Sequence, residues 1–229
     1  MSGVAVVTGG ARNLGRSIVL ALARAGYDTV VNTRSDRQAA EQVAAEARAL
    51  GVRAEAAVAD VTDPEQVAQM FSIADGLGPL RVLVNNAATR TRVPVYDVTA
   101  ADWEGVRSVT LDGAMNCVFA ALPRLRQNGG SVVSIIGGNA LRGDAGRFHV
   151  SAAKYGLVGM TKALAAGCAT DHINVNAVSP SRMEPDADCP DPQADAQRRR
   201  DTVADAVSFL ASAAGADVTG QVIEVGAHR

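Results

Sequence analysis

The chain predicts an α/β fold, a doubly wound, Rossmann-like parallel sheet in three layers, α/β/α. Three observations carry that expectation. Short Val/Ile runs alternate with amphipathic helical stretches from end to end. The runs are apolar at consecutive positions, as in strands covered on both faces. The first run also opens through a glycine-rich turn into a helix, the way doubly wound folds begin.

The elements follow in order. Val4 to Val7 is the first strand, and Leu14, Ile18, Ala21, Leu22 and Ala25 mark one helix face that Gly26 closes. Thr29 to Asn32 is the second strand, and the Ala/Glu-rich stretch Gln38 to Leu50, ended by Gly51, the second helix. Ala54 to Ala59 and Val82 to Val84 read as strands on either side of a helix started by Asp63-Pro64-Glu65. Helices over Ala101 to Arg126 and Val150 to Cys168 bracket a strand at Ser131 to Ile136. Ile173 to Val178 and Val222 to Val225 complete the set. Glu184 to Arg200, rich in Asp, Pro and Ala, reads as a mobile loop ending in the solvated run Arg198-Arg199-Arg200.

With 229 residues and 48% hydrophobic content, the chain can bury one large core, so a single domain over 1–229 is expected. Aromatics make up only 3%, so Ala, Gly and Val must do most of the packing. The formal net charge of −2 argues against nucleic acid or a membrane surface as partner. Cys117, Cys168 and Cys189 are scattered, with neither disulfide nor metal spacing, and read as small apolar filler in a reducing compartment. No apolar run reaches membrane-span length, so a cytoplasmic protein acting on a small-molecule substrate is expected.

Thr8-Gly9-Gly10-Ala11-Arg12-Asn13-Leu14-Gly15 joins the first strand to the first helix. Glycines let backbone approach a pyrophosphate, and a helix N-terminus offers it unpaired N–H groups. The strand–turn–helix setting favours nucleotide binding over an ordinary turn. Arg34 follows the second strand, where an acid would hold a ribose 2′-hydroxyl. Asn32 and Thr33 are neutral and Arg12 can reach the same region, so NADP(H) is expected over NAD(H). Asp36 nearby weighs the other way, and Arg34 could be only a surface charge.

On these residues the chain resembles the short-chain dehydrogenase/reductase family, most closely its β-ketoacyl-carrier-protein-reductase-like members, over nearly its whole length. Thr8 to Gly15 is similar to the family's TGxxxGxG turn, Asp60-Val61 to its adenine-contacting pair, and Asn85-Asn86-Ala87-Ala88 to its NNAG strand end. Pro180 resembles the proline of its PG motif, and Val203 to Val225 its C-terminal helix and strand. The resemblance implies cofactor contacts from Gly9, Ala11, Arg12, Asn13, Leu14, Gly15, Arg34, Asp60, Val61, Asn86, Ala87, Ala88, Lys154, Pro180, Ser181 and Met183. It also implies a homodimer or homotetramer assembled through the two long helices.

The departures concentrate at the chemistry. Family members carry Asn, Ser, Tyr and Lys as a proton-relaying set, in which the lysine one helical turn after the tyrosine lowers the phenol's pKa. Here Thr110, Gly137 and Val150 occupy the first three positions, and Lys154 alone is retained. Asn13 replaces a glycine of the turn, a tolerable change because Asn enters left-handed backbone readily. Ala88 and Ser181 replace further glycines, and Gly226-Ala227-His228 stands for the closing Asp-Gly-Gly.

Substitute donors are few. His149 precedes Val150 at the expected pocket mouth and could give a proton near neutral pH; the plainer reading is a half-exposed histidine at a helix start. Tyr155 is rotated about 100° from Lys154 around the helix, which suits the core or a subunit contact. Tyr96, Asn139, Asp144 and Arg147 lie on segments that line the family's substrate site.

Loss of a positioned acid costs about 10²–10⁴ in rate, which cripples ketone reduction but matters less for a protonated imine or conjugated acceptor. An atypical NADP(H)-dependent oxidoreductase is therefore expected. Two alternatives stay open: a redox-neutral cyclase, dehydratase or isomerase reusing the pocket, and a non-catalytic subunit of an intact paralogue.

Overall fold

The valine runs become the middle of one sheet. In the computed structural model, which describes residues 3–181, 183 and 189–226 (the side chain of Asn139 excepted), seven strands pair in the order β3-β2-β1-β4-β5-β6-β7. They are β1 (Val4–Val7), β2 (Asp28–Thr33), β3 (Ala54–Val58), β4 (Leu80–Asn85), β5 (Gly130–Ile135), β6 (Ile173–Pro180) and β7 (Val222–Val225). Every pairing is parallel. Val7 sits between Val31 of β2 and Val84 of β4, and all four residues of β1 are buried.

Helices cover both faces, which is why the central strands are apolar at consecutive positions. On one face pack α1 (Asn13–Arg24), α2 (Arg37–Ala49) and α8 (Pro192–Ala211), burying Ile18, Leu22, Val43, Val207 and Leu210. On the other pack α3 (Pro64–Leu77), α5 (Gly113–Asn128) and α7 (Phe148–Gly167), with Phe71, Met70, Cys117, Leu125 and Ala165 inside. Among the described residues no helix is long and apolar enough to cross a membrane.

Side-chain caps set four of the helix starts. Asp36, Asp63 and Asp191 accept N–H bonds at the heads of α2, α3 and α8, and Thr99 with Asp102 forms a capping box on α4 (Ala100–Arg107). The long helix expected over Ala101 to Arg126 is present as one run, but a π-helical turn at Ser108–Asp112 divides α4 from α5. That turn buries Thr110. Just after it Gly113 packs so closely on Val61 that a Cβ would lie 2.5 Å from the valine Cγ2.

The expected loop over Glu184 to Arg200 needs correcting. Residues 184–188 lie outside the described residues, as do Ala227 and His228, but the chain is helical from Pro192. Asp191 caps the helix, Pro192 occupies a first-turn position where its missing N–H costs nothing, and Arg198 and Arg199 pair with Asp195 one turn back. The arginine run is thus part of a helix surface with intramolecular partners.

The strand order reverses direction of winding between β1 and β4, which opens a crevice at the strands' carboxyl ends. Asn32, buried at the end of β2, holds this edge together. Its Oδ1 accepts from Gly9 N at 3.1 Å, and its Nδ2 donates to Ala59 O at 3.0 Å. Asn32→Ala leaves these interior groups unpaired and is expected to lower unfolding stability by about 2–4 kcal/mol. Denaturant titration measures this; a loss below about 0.5 kcal/mol, the scale of an ordinary surface change, would refute the role.

Candidate active site

The crevice is built around the turn between β1 and α1. Thr8 Oγ1 donates to Val84 O and accepts from Asn86 N and Ala87 N at 2.9 and 3.0 Å. Asn86 Nδ2 donates to the carbonyls of Thr8 and Gly9 at 2.9 and 3.0 Å. The ends of β1 and β4 are thereby locked together. Gly9 has φ +61, and a Cβ on Gly15 would fall 2.1 Å from Gly9 O. Only glycine fits at either position. Asn13 takes φ 48, the left-handed conformation that a glycine would otherwise supply.

Unlike α2, α3, α4 and α8, helix α1 has no side-chain cap and no acid in its first turn, where Arg12 sits at the N-cap. Its first N–H groups are left for a ligand. The turn contributes to two cavities. Gly9, Ala11 and Arg12 line one of about 370 Å³, together with Asn32, Thr33, Arg34, Asp60, Val61, Ala87 and Ala88. Asn13 and Leu14 line the other, of about 420 Å³, with Ile135, Gly137, Val150, Lys154, Pro180, Ser181 and Met183. The residues read from the sequence as cofactor contacts therefore lie at the two cavities, with Gly15 and Asn86 forming the backing of the turn.

In the first cavity Asp36 also lines the wall, but its Oδ1 already accepts from Ala39 N at 3.0 Å as the cap of α2. Asp60 is engaged by Thr62, whose N and Oγ1 donate to it at 2.9 and 2.8 Å. The guanidiniums of Arg12 and Arg34 are the cations of this wall.

In the second cavity Lys154 is 3% exposed, and Nζ donates to Ile135 O at 2.7 Å. Burial, and secondarily the Arg90 guanidinium, brings its pKa down from 10.5 to about 7. Val150, one turn earlier, also lines the cavity and packs with Val106, Ala153 and Leu111. A Cβ on Gly137 would meet nothing within 4 Å. Among the described residues no tyrosine lines this cavity.

Four candidates sit elsewhere. Thr110 faces the segment after β4, exchanging hydrogen bonds with Thr89 N and O at 3.3 and 3.4 Å, and lines neither cavity. His149 is not a half-exposed residue at a pocket mouth: it is 1% exposed, bonded through Nε2 to Thr91 Oγ1 at 3.0 Å. The Phe148 ring meets it edge-on and lies tilted against Trp103, so the histidine is covered. Tyr155 is half exposed and donates to Leu141 O at 2.8 Å, while Tyr96 points almost wholly to solvent.

The residues that sequence reasoning missed are Arg90, Arg92, Ser151 and Arg200, all on the second cavity. They come from the segment after β4, from α7 and from α8, and no spacing along the chain unites them.

The short chain dehydrogenase family model matches residues 3–195. A 3-oxoacyl-[acyl-carrier-protein] reductase FabG of Staphylococcus aureus (strain Mu50) is 35% identical, covering 98% of this chain and 97% of its own length. Nodulation protein G of Azospirillum brasilense is 32% identical over 97% and 96%. Among solved structures, acetoin dehydrogenase from Enterobacter cloacae superposes with a TM-score of 0.88 at 30% identity, covering 98% of this chain and 94% of that one. Acetoin dehydrogenase YohF from Salmonella typhimurium gives 0.88 at 29%, with the same coverage of 98% and 94%.

Lys154 makes stability depend on pH with a definite sign. The folded state holds the amine neutral down to about 7 while the unfolded chain protonates it below 10.5, so stability rises with pH between those values. Lys154→Met removes that penalty. The melting temperature of the variant minus that of the wild type is expected to be greatest at or below pH 7 and to shrink toward pH 10.5. A difference that is flat across this window would contradict a depressed ammonium.

Proposed function

The chain belongs to the short-chain dehydrogenase family of oxidoreductases, and from that premise we propose that it is an NADP(H)-dependent enzyme of atypical mechanism, reducing an imine or conjugated acceptor. The observation that carries the reading is the pair Val150 and Lys154, one turn apart on α7 and both on the second cavity, with open space over Gly137. A lysine amine is present where a proton relay would need it, beside an apolar side chain that has no proton to pass.

The residues fit a nicotinamide dinucleotide. The uncapped first turn of α1 suits a pyrophosphate, and the two cavities it feeds suit the two nucleosides. Arg12 and Arg34 would hold a 2′-phosphate, since Asn32 is committed to the backbone and Asp36 to its helix cap. Bound there, the dinucleotide supplies hydride. Lys154 would orient the ribose next to the nicotinamide, and Pro180, Ser181 and Met183 would close one side of the ring's pocket. With no phenol in place, the substrate must bring its own activation, as a protonated imine does, or draw a proton from solvent.

Exposed Trp103, Met115, Phe119, Phe148 and Tyr155 on α4, α5 and α7 support assembly as a homodimer or homotetramer through those helices. The room over Gly137 also favours a second reading, a redox-neutral isomerase or dehydratase that needs a wider, drier cavity.

Titration calorimetry is expected to show NADPH binding at least about tenfold tighter than NADH, with Arg34→Ala removing most of the difference. Equal affinities would contradict the 2′-phosphate assignment. With cofactor bound, loss of nicotinamide absorbance on a panel of imines and enones is expected. Turnover that leaves NADPH unconsumed would favour the redox-neutral reading.

A further inference from the structure

The second cavity is more cationic than cofactor binding requires. Among the described residues, Arg90, Arg92, Arg147, Arg200 and Lys154 line it against a single acid, Asp144. That acid is already used: its Oδ1 accepts from Gly146 N at 2.9 Å, and it pairs with Arg92 at 3.2 Å. Arg200 leans on a neutral partner, Gln197 Oε1, at 3.2 Å. Arg90 and Arg147 have no acid within ion-pair distance among the described residues.

Two buried polar atoms add to the imbalance. Arg147 Nε and, one turn along α7, Ser151 Oγ have no hydrogen-bond partner. Arg147 stands at the N-cap of α7, a helix with no side-chain cap and no acid in its first turn. Buried polar atoms without partners call for a ligand or ion, and the uncompensated guanidiniums beside them favour one that brings a countercharge. Burial, and next the mutual repulsion of these cations, disfavours charge on the neighbours. Arg90 contributes to lowering Lys154, after burial. Arg90 is itself pulled below the usual arginine range, by desolvation first and by Arg147 second, although part of its side chain stays exposed.

Cofactor phosphates do not supply the countercharge, because their place is the turn of α1. Arg90 and Arg147 come from the segments following β4 and β5, which are joined by Val93 N to Gly146 O at 2.9 Å and by the Arg92–Asp144 pair. We infer that this cavity takes an anionic substrate, a carbonyl or imine compound bearing a carboxylate or phosphate group, held between the guanidiniums of Arg90 and Arg147. Planar guanidiniums match either oxyanion with paired N–H bonds. The inference rests on the oxidoreductase reading for the ligand being the substrate, and on the cavity alone for its charge.

Calorimetric titration of the full chain, saturated with NADPH at physiological ionic strength, tests it with benzoate, phenyl phosphate and the neutral isostere benzamide as probes. Saturation fills the α1 turn, so a probe there cannot be mistaken for one in the cavity. At least one anion is expected to bind about tenfold or more tighter than benzamide. Whichever of benzoate and phenyl phosphate binds better names the substrate's acidic group. Arg90→Gln and Arg147→Gln are each expected to weaken the anion about tenfold and to leave NADPH and benzamide unaffected. Should Arg147→Gln fail to fold, Arg90→Gln carries the test, since that side chain has no ion-pair partner to lose. Benzamide binding as tightly as both anions, or anion affinity unchanged in variants that melt like the wild type, would overturn the proposal. If NADPH does not bind, the same probes titrated into the free protein and its Arg90→Gln variant still decide the charge of the cavity's ligand, because the variant leaves the α1 turn intact, so the two failures are distinguishable.

Discussion

A side chain at Gly15 would lie 2.1 Å from the carbonyl of Gly9, and much of the molecule is arranged around that contact. The approach brings the first turn of α1 onto the end of β1. Thr8 and Asn86 then tie β1 to β4 across the point where the strand order reverses. Asn32 ties the same turn to β2 and to the segment after β3. Three strand ends and one helix N-terminus are fixed by the side-chain hydrogen bonds of Thr8, Asn32 and Asn86. The crevice exists because the backbone there is held open and rigid at once.

The second cavity is built on a different economy. Its polar groups are cations and orphaned donors, with Lys154 buried against one carbonyl and Arg147 partly sealed without a partner. Such a site is stable only because the surrounding fold pins it: Val150, Val106 and Ala153 pack beneath it, and the segments after β4 and β5 brace one another. Strain of this kind, concentrated in one place, is what a ligand of opposite charge relieves. The turn is held by paired polar side chains, whereas the second cavity keeps polar atoms without partners.

The fold was legible because parallel strands buried on both faces have to be written in consecutive apolar residues, as in Val4–Val7 and Leu80–Asn85. Helix starts were legible where a cap and a proline coincide, as at Asp63-Pro64. The same signal at Asp191-Pro192 is masked by its Ala/Asp-rich surroundings, so a stretch whose composition suits a loop is helical. The first cavity could be read because its residues follow each other in a turn and a strand end. The arginines of the second could not, because only tertiary contact between the 90–93 and 144–147 segments brings them together. His149 shows the same limit in reverse: its position near a helix start suggested exposure, and the Phe148 and Trp103 rings removed it from solvent.

On the proposed reading, the pocket beside Lys154 lacks the hydroxyl-bearing pair that reduction of an ordinary ketone needs. Gly137 has space for a serine, and Val150 stands one turn from the ammonium. The most direct measurement is single-turnover ketone reduction by NADPH-loaded Gly137→Ser/Val150→Tyr enzyme beside the unaltered chain. The account predicts a gain of about 10²–10⁴ in the double variant. A variant that folds, binds NADPH and reduces ketones no faster than the parent would contradict it.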